Sequence, residues 1–174
     1  MYSGHKCSHG LKFQSVVTSD CIFACMYGAI AGCRHDSYML TESTLVPRLC
    51  LLMLSAEGNI YSLYANPAYP AQLAYTFKGF RNTVPGSCKA MWNAQMSSVC
   101  ESVEWGFAYI NKQWAYLNFQ PVMKIFEAPV AKHYIIGTFL CNLLRTCYYG
   151  NQTMSFFECC NDSMSIDEYL ALID

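Results

Sequence analysis

The sequence predicts an α/β or α+β domain. Three observations carry that expectation: two β-rich segments meet at an early turn, a third strand-like segment falls between helical stretches, and two long helical stripes follow. At 174 residues the chain has the length of a single domain, 1–174, since domains run to about 100–200 residues. Its apolar fraction is 53% and its charged fraction 13%, apolar and charge-poor beside averages of about 45–50% and 25%. That composition builds a core and is not that of a disordered chain.

The elements follow in order. "GLKFQSVVTSDCIFACMYGAIAG" reads as two strands about a turn at Ser19 and Asp20, with Val16, Val17, Ile22 and Phe23 as strand formers and Gly28 and Gly32 closing the unit. In "RHDSYMLTESTLVPRLCLLML", Asp36 is the expected N-cap of a helix starting at Ser37, and Pro47 divides it from a second short apolar helix. Glu57, Gly58 and Asn59 turn the chain into a strand over 60–65, and "AYTFKGFRNTVPGS" is a loop or short strand. A long helix is expected over 89–117, because Trp92, Met96, Val99, Val103, Phe107, Ile110, Trp114 and Leu117 recur every three or four residues. A second follows Pro129, placed at N1, with Val130, Tyr134, Gly137, Cys141, Leu144 and Tyr148 as its stripe and Gly150 as its stop. "SIDEYLALID" closes the chain as a short helix, with Ser165 and Glu168 forming a capping box. There is no repeat, linker or low-complexity segment.

Several function classes fall away. No segment reaches the roughly 18 apolar residues of a membrane span. "YIIGTFLCNLL" is too short, holds Thr138 and Asn142, and reads as a buried helix. The opening "MYSGHKCSHG" is polar, unlike a signal peptide, so an intracellular and not a secreted protein is expected. Asn151-Gln-Thr153 and Asn161-Asp-Ser163 are sequons without use in that setting. Eleven cysteines, an odd number, argue against a disulfide framework. The pairs Cys21/Cys25 and Cys159/Cys160 lack the CxxC spacing zinc favours, so free thiols packed as small hydrophobes are expected. With seven Lys and four Arg the net charge is −1, and no basic stripe marks a strong nucleic-acid binder.

Smaller constellations carry little. His5, Cys7 and His9 would share one face of an extended strand, but they are three ligands at most. Pairings of Cys with His are expected by chance at this cysteine count, so they do not define a nucleophile. Trp105 and Trp114 could stack on bases, yet Trp114 lies on the core stripe and reads as packing. No small-molecule site is evident.

Four stretches together carry a resemblance: "YSGHKCSHGLKFQSVV", "GCRHDSYMLTES", "YANPAYP" and "SSVCESVEWGFAYINKQWAYL". In this order and spacing the chain resembles the C-terminal two-thirds of a PIF/Harbinger-type DDE transposase nuclease domain, a DDE superfamily endonuclease. The likeness spans nearly the whole chain, including the second long helix and the "YGNQT" after it. It implies a ribonuclease-H-like fold with a mixed sheet and two long C-terminal helices. It also implies Asp, Asp and Glu ligands for two Mg²⁺ or Mn²⁺ ions, cleavage and strand transfer of DNA, and a nuclear address. Hard dications want carboxylate oxygens, and two of them about 3.5–4 Å apart activate a water and stabilise the leaving oxygen.

Carried over residue by residue, the third acid of the family falls on Glu104 in "SVEWGF", whereas Glu101, one turn earlier, reads as a solvated helix residue. The second falls on the strand tip in "YANPAYP", where Asn66 stands in place of Asp. Asparagine keeps a carbonyl acceptor and loses the anionic oxygen. It is also an ordinary turn starter before proline. The first acid lies, in the family, on a strand upstream of the "YSGHK" match, so a truncated domain lacking its first strand is expected. Asp20, in a turn, is a poor substitute, and Asp36 matches a family residue outside the triad. Cys7, Cys33 and Cys100 stand where the resemblance implies basic residues, the pattern of an element decaying without selection. The expectation is therefore a transposase-derived endonuclease domain with poorly bound metal and lost activity. The alternatives are a domesticated module that binds DNA or protein without catalysis, or a gene remnant. An uncovered edge of the early hairpin predicts self-association.

Overall fold

The computed structural model describes residues 2–3, 8–55, 57–66, 69, 76–118, 123–124, 127–147, 151–159 and 164–171. The order is β1 Tyr2–Ser3, β2 Ser8–His9, β3 Leu11–Val17, β4 Phe23–Ala31, α1 Asp36–Glu42, α2 Leu45–Leu52, β5 Leu63–Tyr64, β6 Thr76–Phe77 and α3 Cys88–Gln113. A 3₁₀ turn at Ala115–Asn118, then α4 Val130–Cys147, α5 Gln152–Phe156 and α6 Ile166–Ala171 complete it. The fold is mixed α/β, as expected, with described strands in three two-stranded sheets, β1–β2, β3–β4 and β5–β6. The chain divides into two compact units, Met1–Gln14 with Tyr27–Glu101, and Ser15–Met26 with Ser102–Asp174. The boundary passes through β3, β4 and α3. No described helix is long and apolar enough to cross a membrane.

In the first unit the early hairpin forms as expected, with the Gly32 N–H donating to the Gly10 carbonyl at 2.9 Å. Gly28 does not close it. It lies inside β4 with φ +146°, and a Cβ there would sit 2.7 Å from Phe13 Cδ1 and 2.8 Å from the Lys12 carbonyl. Only glycine fits that approach.

The cap of α1 is His35, whose Nδ1 accepts from the Ser37 N–H at 3.2 Å. Asp36 is thus the first helical residue rather than the cap, and its carboxylate takes Lys12 Nζ at 2.9 Å. Pro47 does not divide the two short helices either. It sits in the first turn of α2, where a missing N–H costs no helical bond, and the break falls at Thr44 with φ 50°. Gly58, at φ +82°, turns Ile60 back onto Leu54, and the Tyr61 N–H bonds to the Met53 carbonyl at 2.8 Å. Those bonds hold residues 60–61 in the turn, so the strand expected over 60–65 shrinks to β5. It runs parallel to β6, pairing Leu63 with Thr76 and Tyr64 with Phe77.

Phe23, Ile110 and Cys141 form the core of the second unit, with Val17, Phe107, Trp114, Leu117 and Tyr134 packed around them. These include stripe positions of both long helices. The first helix ends earlier than its stripe, at Gln113. The Leu117 N–H then bonds to the Trp114 carbonyl at 2.9 Å, and this tighter turn keeps both side chains facing the core. Trp114 is a packing residue, its Nε1 donating to the Gly137 carbonyl at 2.9 Å. Pro129 stands just outside α4, its carbonyl accepting from the His133 N–H at 3.1 Å, rather than at N1. Gly150 and Tyr148 lie outside the described residues.

The α4 segment expected to be buried is so on one face only. Gly137, Thr138, Cys141 and Asn142 are buried, while Ile135, Ile136, Phe139 and Leu140 are exposed. Asn142 binds the start of β4 twice. Its Oδ1 accepts from the Phe23 N–H at 3.0 Å, and its Nδ2 donates to the Phe23 carbonyl at 3.1 Å and to Tyr169 Oη at 2.8 Å. At α6 the capping box is present. The Ser165 N–H donates to Glu168 Oε2 at 2.8 Å, and Ser165 Oγ accepts from the Glu168 N–H at 3.2 Å. α5 was not anticipated; its cap is Asn151, of the first sequon, accepting from the Met154 N–H at 2.9 Å.

The nine described cysteines are free thiols. Only Cys21 and Cys141 pack as buried hydrophobes; Cys33, Cys50, Cys88 and Cys147 are exposed. Cys7 and Cys160 lie outside the described residues.

Candidate active site

Asn66 belongs to the first unit. β5 ends at Tyr64, the Ala65 N–H still bonds to the Phe77 carbonyl at 2.8 Å, and Asn66 follows as an exposed residue. Its carbonyl accepts from the Tyr69 N–H at 3.0 Å. Asn66 therefore stands just past a strand end. Tyr69 is half-buried beside it. Burial, and then the nearby Asp36 carboxylate, push its phenol up to about 12.

Glu104 belongs to the second unit. It is exposed near the middle of α3, between half-buried Val103 and Trp105. Trp105 meets Phe156 edge-on with ring centroids 5.4 Å apart, so that indole has a packing role. Glu101, exposed one turn earlier, belongs to the first unit. Asp20 is spent locally: its carboxylate accepts from Thr18 Oγ1 and its carbonyl takes Arg145 Nε at 2.5 Å. Asp36 is paired with Lys12. His5 and Cys7 lie outside the described residues, as does the His9 side chain. Of the residues expected to be basic, Cys33 is exposed and Cys100 half-buried.

At the position of the second family acid Asn66 offers a neutral amide, a poorer ligand for a hard dication than a carboxylate, and at that of the third Glu104 keeps its carboxylate. Among the described residues no group of three or more His, Cys, Asp or Glu could hold a metal ion.

One feature of the first unit escaped the sequence reading. A cavity of about 180 Å³ is lined by Tyr64, Lys78, Gly79, Phe80, Arg81, Asn93 and Ser97. The segment "FKGFR" reads as an unremarkable loop. What forms the cavity wall is Asn93, which binds the Phe80 backbone from one turn into α3. Nothing in the local sequence reports that contact, although the two cations so close together were visible.

These features belong to a mixed α/β chain. Residues 1–144 match the DDE superfamily endonuclease, and the chain belongs to that family. It is a family of transposase-derived nucleases that act on DNA and generally depend on divalent metal. No curated protein and no solved structure matches the chain significantly.

Proposed function

We propose that this chain descends from the nuclease domain of a PIF/Harbinger-type transposase, with a ribonuclease-H-like ancestry, and no longer cleaves DNA. The observation that carries the reading is Asn66, a neutral amide just past the end of β5, where the resemblance calls for a carboxylate. A site for Mg²⁺ or Mn²⁺ relies on charged oxygens, and one amide in the set lowers its affinity steeply. Glu104 is the third family acid in this reading, and its exposure on α3 keeps it available to solvent.

A DNA-binding module without catalysis is the second reading. It is favoured by residues 58–100, which hold Lys78, Arg81 and Lys89 and no Asp or Glu. Both readings place the chain in the nucleus. The same proposal has the chain self-associate through an uncovered sheet edge; a clean monomer by sedimentation at tens of micromolar refutes that part.

Plasmid relaxation tests the central claim. The unmodified chain is expected to nick supercoiled DNA no faster in Mg²⁺ or Mn²⁺ than its Glu104→Gln variant. Metal-dependent nicking that Glu104→Gln abolishes would overturn the proposal.

A further inference from the structure

The cavity beside β5 and β6 has a charge and a shape that specify a ligand. Of its lining residues, Lys78 and Arg81 are cations and none is an anion. Lys89 adds a third positive charge next to it, with Nζ 5.4 Å from the centre of the Phe80 ring. The sequence from 58 to 100 supplies no carboxylate to neutralise them, and the next along α3 is Glu101. For a chain of net charge −1 this is a concentrated positive site.

The cavity is also held in shape. Asn93 fixes the Phe80 backbone at both of its polar groups, at 2.8 and 2.9 Å. Trp92 meets Tyr64 and Phe80 edge-on, with centroids 5.7 and 5.2 Å away. Lys78 Nζ donates to the Tyr69 carbonyl at 3.3 Å, and an ammonium carries three donors. Gly79 sits between the two cations, and a Cβ there would come 3.2 Å from Asn93 Oδ1.

A notch lined by Lys78, Arg81, Tyr64 and Ser97, two cations and two residues that carry hydroxyls, suits a tetrahedral oxyanion. Base stacking is disfavoured at Phe80, because Lys89 lies over its ring. We propose that this notch binds a phosphate group, supplied by the backbone of a DNA strand; that choice of source rests on the nuclease-derived reading above. Arg81 gives a forked donor pair to two phosphate oxygens, and Lys78 gives a point charge. Contacts of this kind position a nucleic acid without reading its sequence.

The test measures anisotropy of a labelled, mixed-sequence DNA duplex over a salt series, with the unmodified full chain, Lys78→Gln/Arg81→Gln, and Lys132→Gln as a control cation on α4. Each lost phosphate contact lowers the log–log salt slope by about 0.9, so the double variant is expected to lose about two units of slope while Lys132→Gln loses none. If the unmodified chain binds and the double variant binds equally, with the same slope, the notch is not a phosphate site and the DNA reading survives. If the unmodified chain binds no DNA, that reading of the function fails, and inorganic phosphate is titrated against tryptophan fluorescence. A response that the double variant loses then assigns the notch to small phosphate compounds. No response overturns the phosphate site itself.

Discussion

Asn93 grips the backbone of Phe80 at both ends of one residue: its Oδ1 accepts from the Phe80 N–H at 2.8 Å and its Nδ2 donates to the Phe80 carbonyl at 2.9 Å. The side-chain amide imitates the edge of a strand and ties the loop after β6 to the first turns of α3. Replacing Asn93 by Ala releases both bonds to water. Two net bonds are worth about 1–3 kcal/mol, and with Phe80 exposed to water the expected cost lies in the lower part of that range, about 1–2. Asn93→Asp keeps only the acceptor and should lose roughly half as much. Urea midpoints at constant m measure both.

Asn142→Ala should cost more than Asn93→Ala: it removes the same kind of backbone pair, at Phe23, and the bond to Tyr169 Oη as well. Phe23 is 6% exposed and Asn142 3%, so the orphaned N–H and carbonyl have no water to turn to. An unsatisfied buried group costs about 1–3 kcal/mol, and a loss of about 3 kcal/mol is expected in the same denaturant experiment. Equal losses for the two variants would show that burial does not set the difference.

Gly106→Ala sets two effects against each other. Removing glycine from a helix interior gains about 1 kcal/mol. The new Cβ, however, would lie 3.0 Å from Phe23 Cζ, and that ring is held by the Asn142 clamp and by edge contact with Phe107 at 5.7 Å. Crowding a packed core costs about 1–3 kcal/mol, so a net loss of about 1 kcal/mol is expected. Pairing the change with Phe23→Leu should recover part of it.

The cysteines should separate by reactivity. Burial pushes the Cys141 thiol up to about 11, outweighing the lowering by Trp114, and burial likewise raises Cys21. Under native, mildly alkaline conditions iodoacetamide should label Cys33, Cys50, Cys88 and Cys147 and spare those two. Mass spectrometry of the digested protein reads the pattern.

Glu168 gives a pH signature. Hydrogen bonds from the Ser165 backbone and then its side chain hold its carboxyl below the usual 4.5. A lowered folded value means that the contribution is present above 4.5 and is lost as the pH falls through the folded value. Hydrogen-exchange protection of α6 should therefore differ between the unmodified chain and Glu168→Gln at neutral pH, and the difference should vanish in acid.

Much of this was legible where the signal was periodic or local. The stripes from Trp92 to Leu117 and from Val130 to Leu144 placed both long helices, and Ser165 with Glu168 placed the last one. Boundaries failed where a side chain decided them. His35 took the cap expected of Asp36 because its ring nitrogen reached the Ser37 N–H, while Asp36 was drawn to Lys12, distant in sequence. Pro47 misled because proline breaks a helix interior but not a first turn. The exposed face of α4 was hidden because hydrophobicity does not tell which side of a helix finds a neighbour. At the candidate site, Asn66 and Glu104 were visible only through the motifs around them. The notch at Lys78 and Arg81 was not, since Asn93 makes it by a contact across thirteen residues.

The clamp of Asn142 on Phe23 also bears on how this chain meets other chains. Amyloid-like growth recruits a new segment by offering free amide and carbonyl groups in register along a strand. At Phe23 both groups are already answered by a side chain from α4, and a zipper cannot initiate on a rung that is occupied. Templated addition along this edge of β4 has to begin past the residue that the helix has sealed.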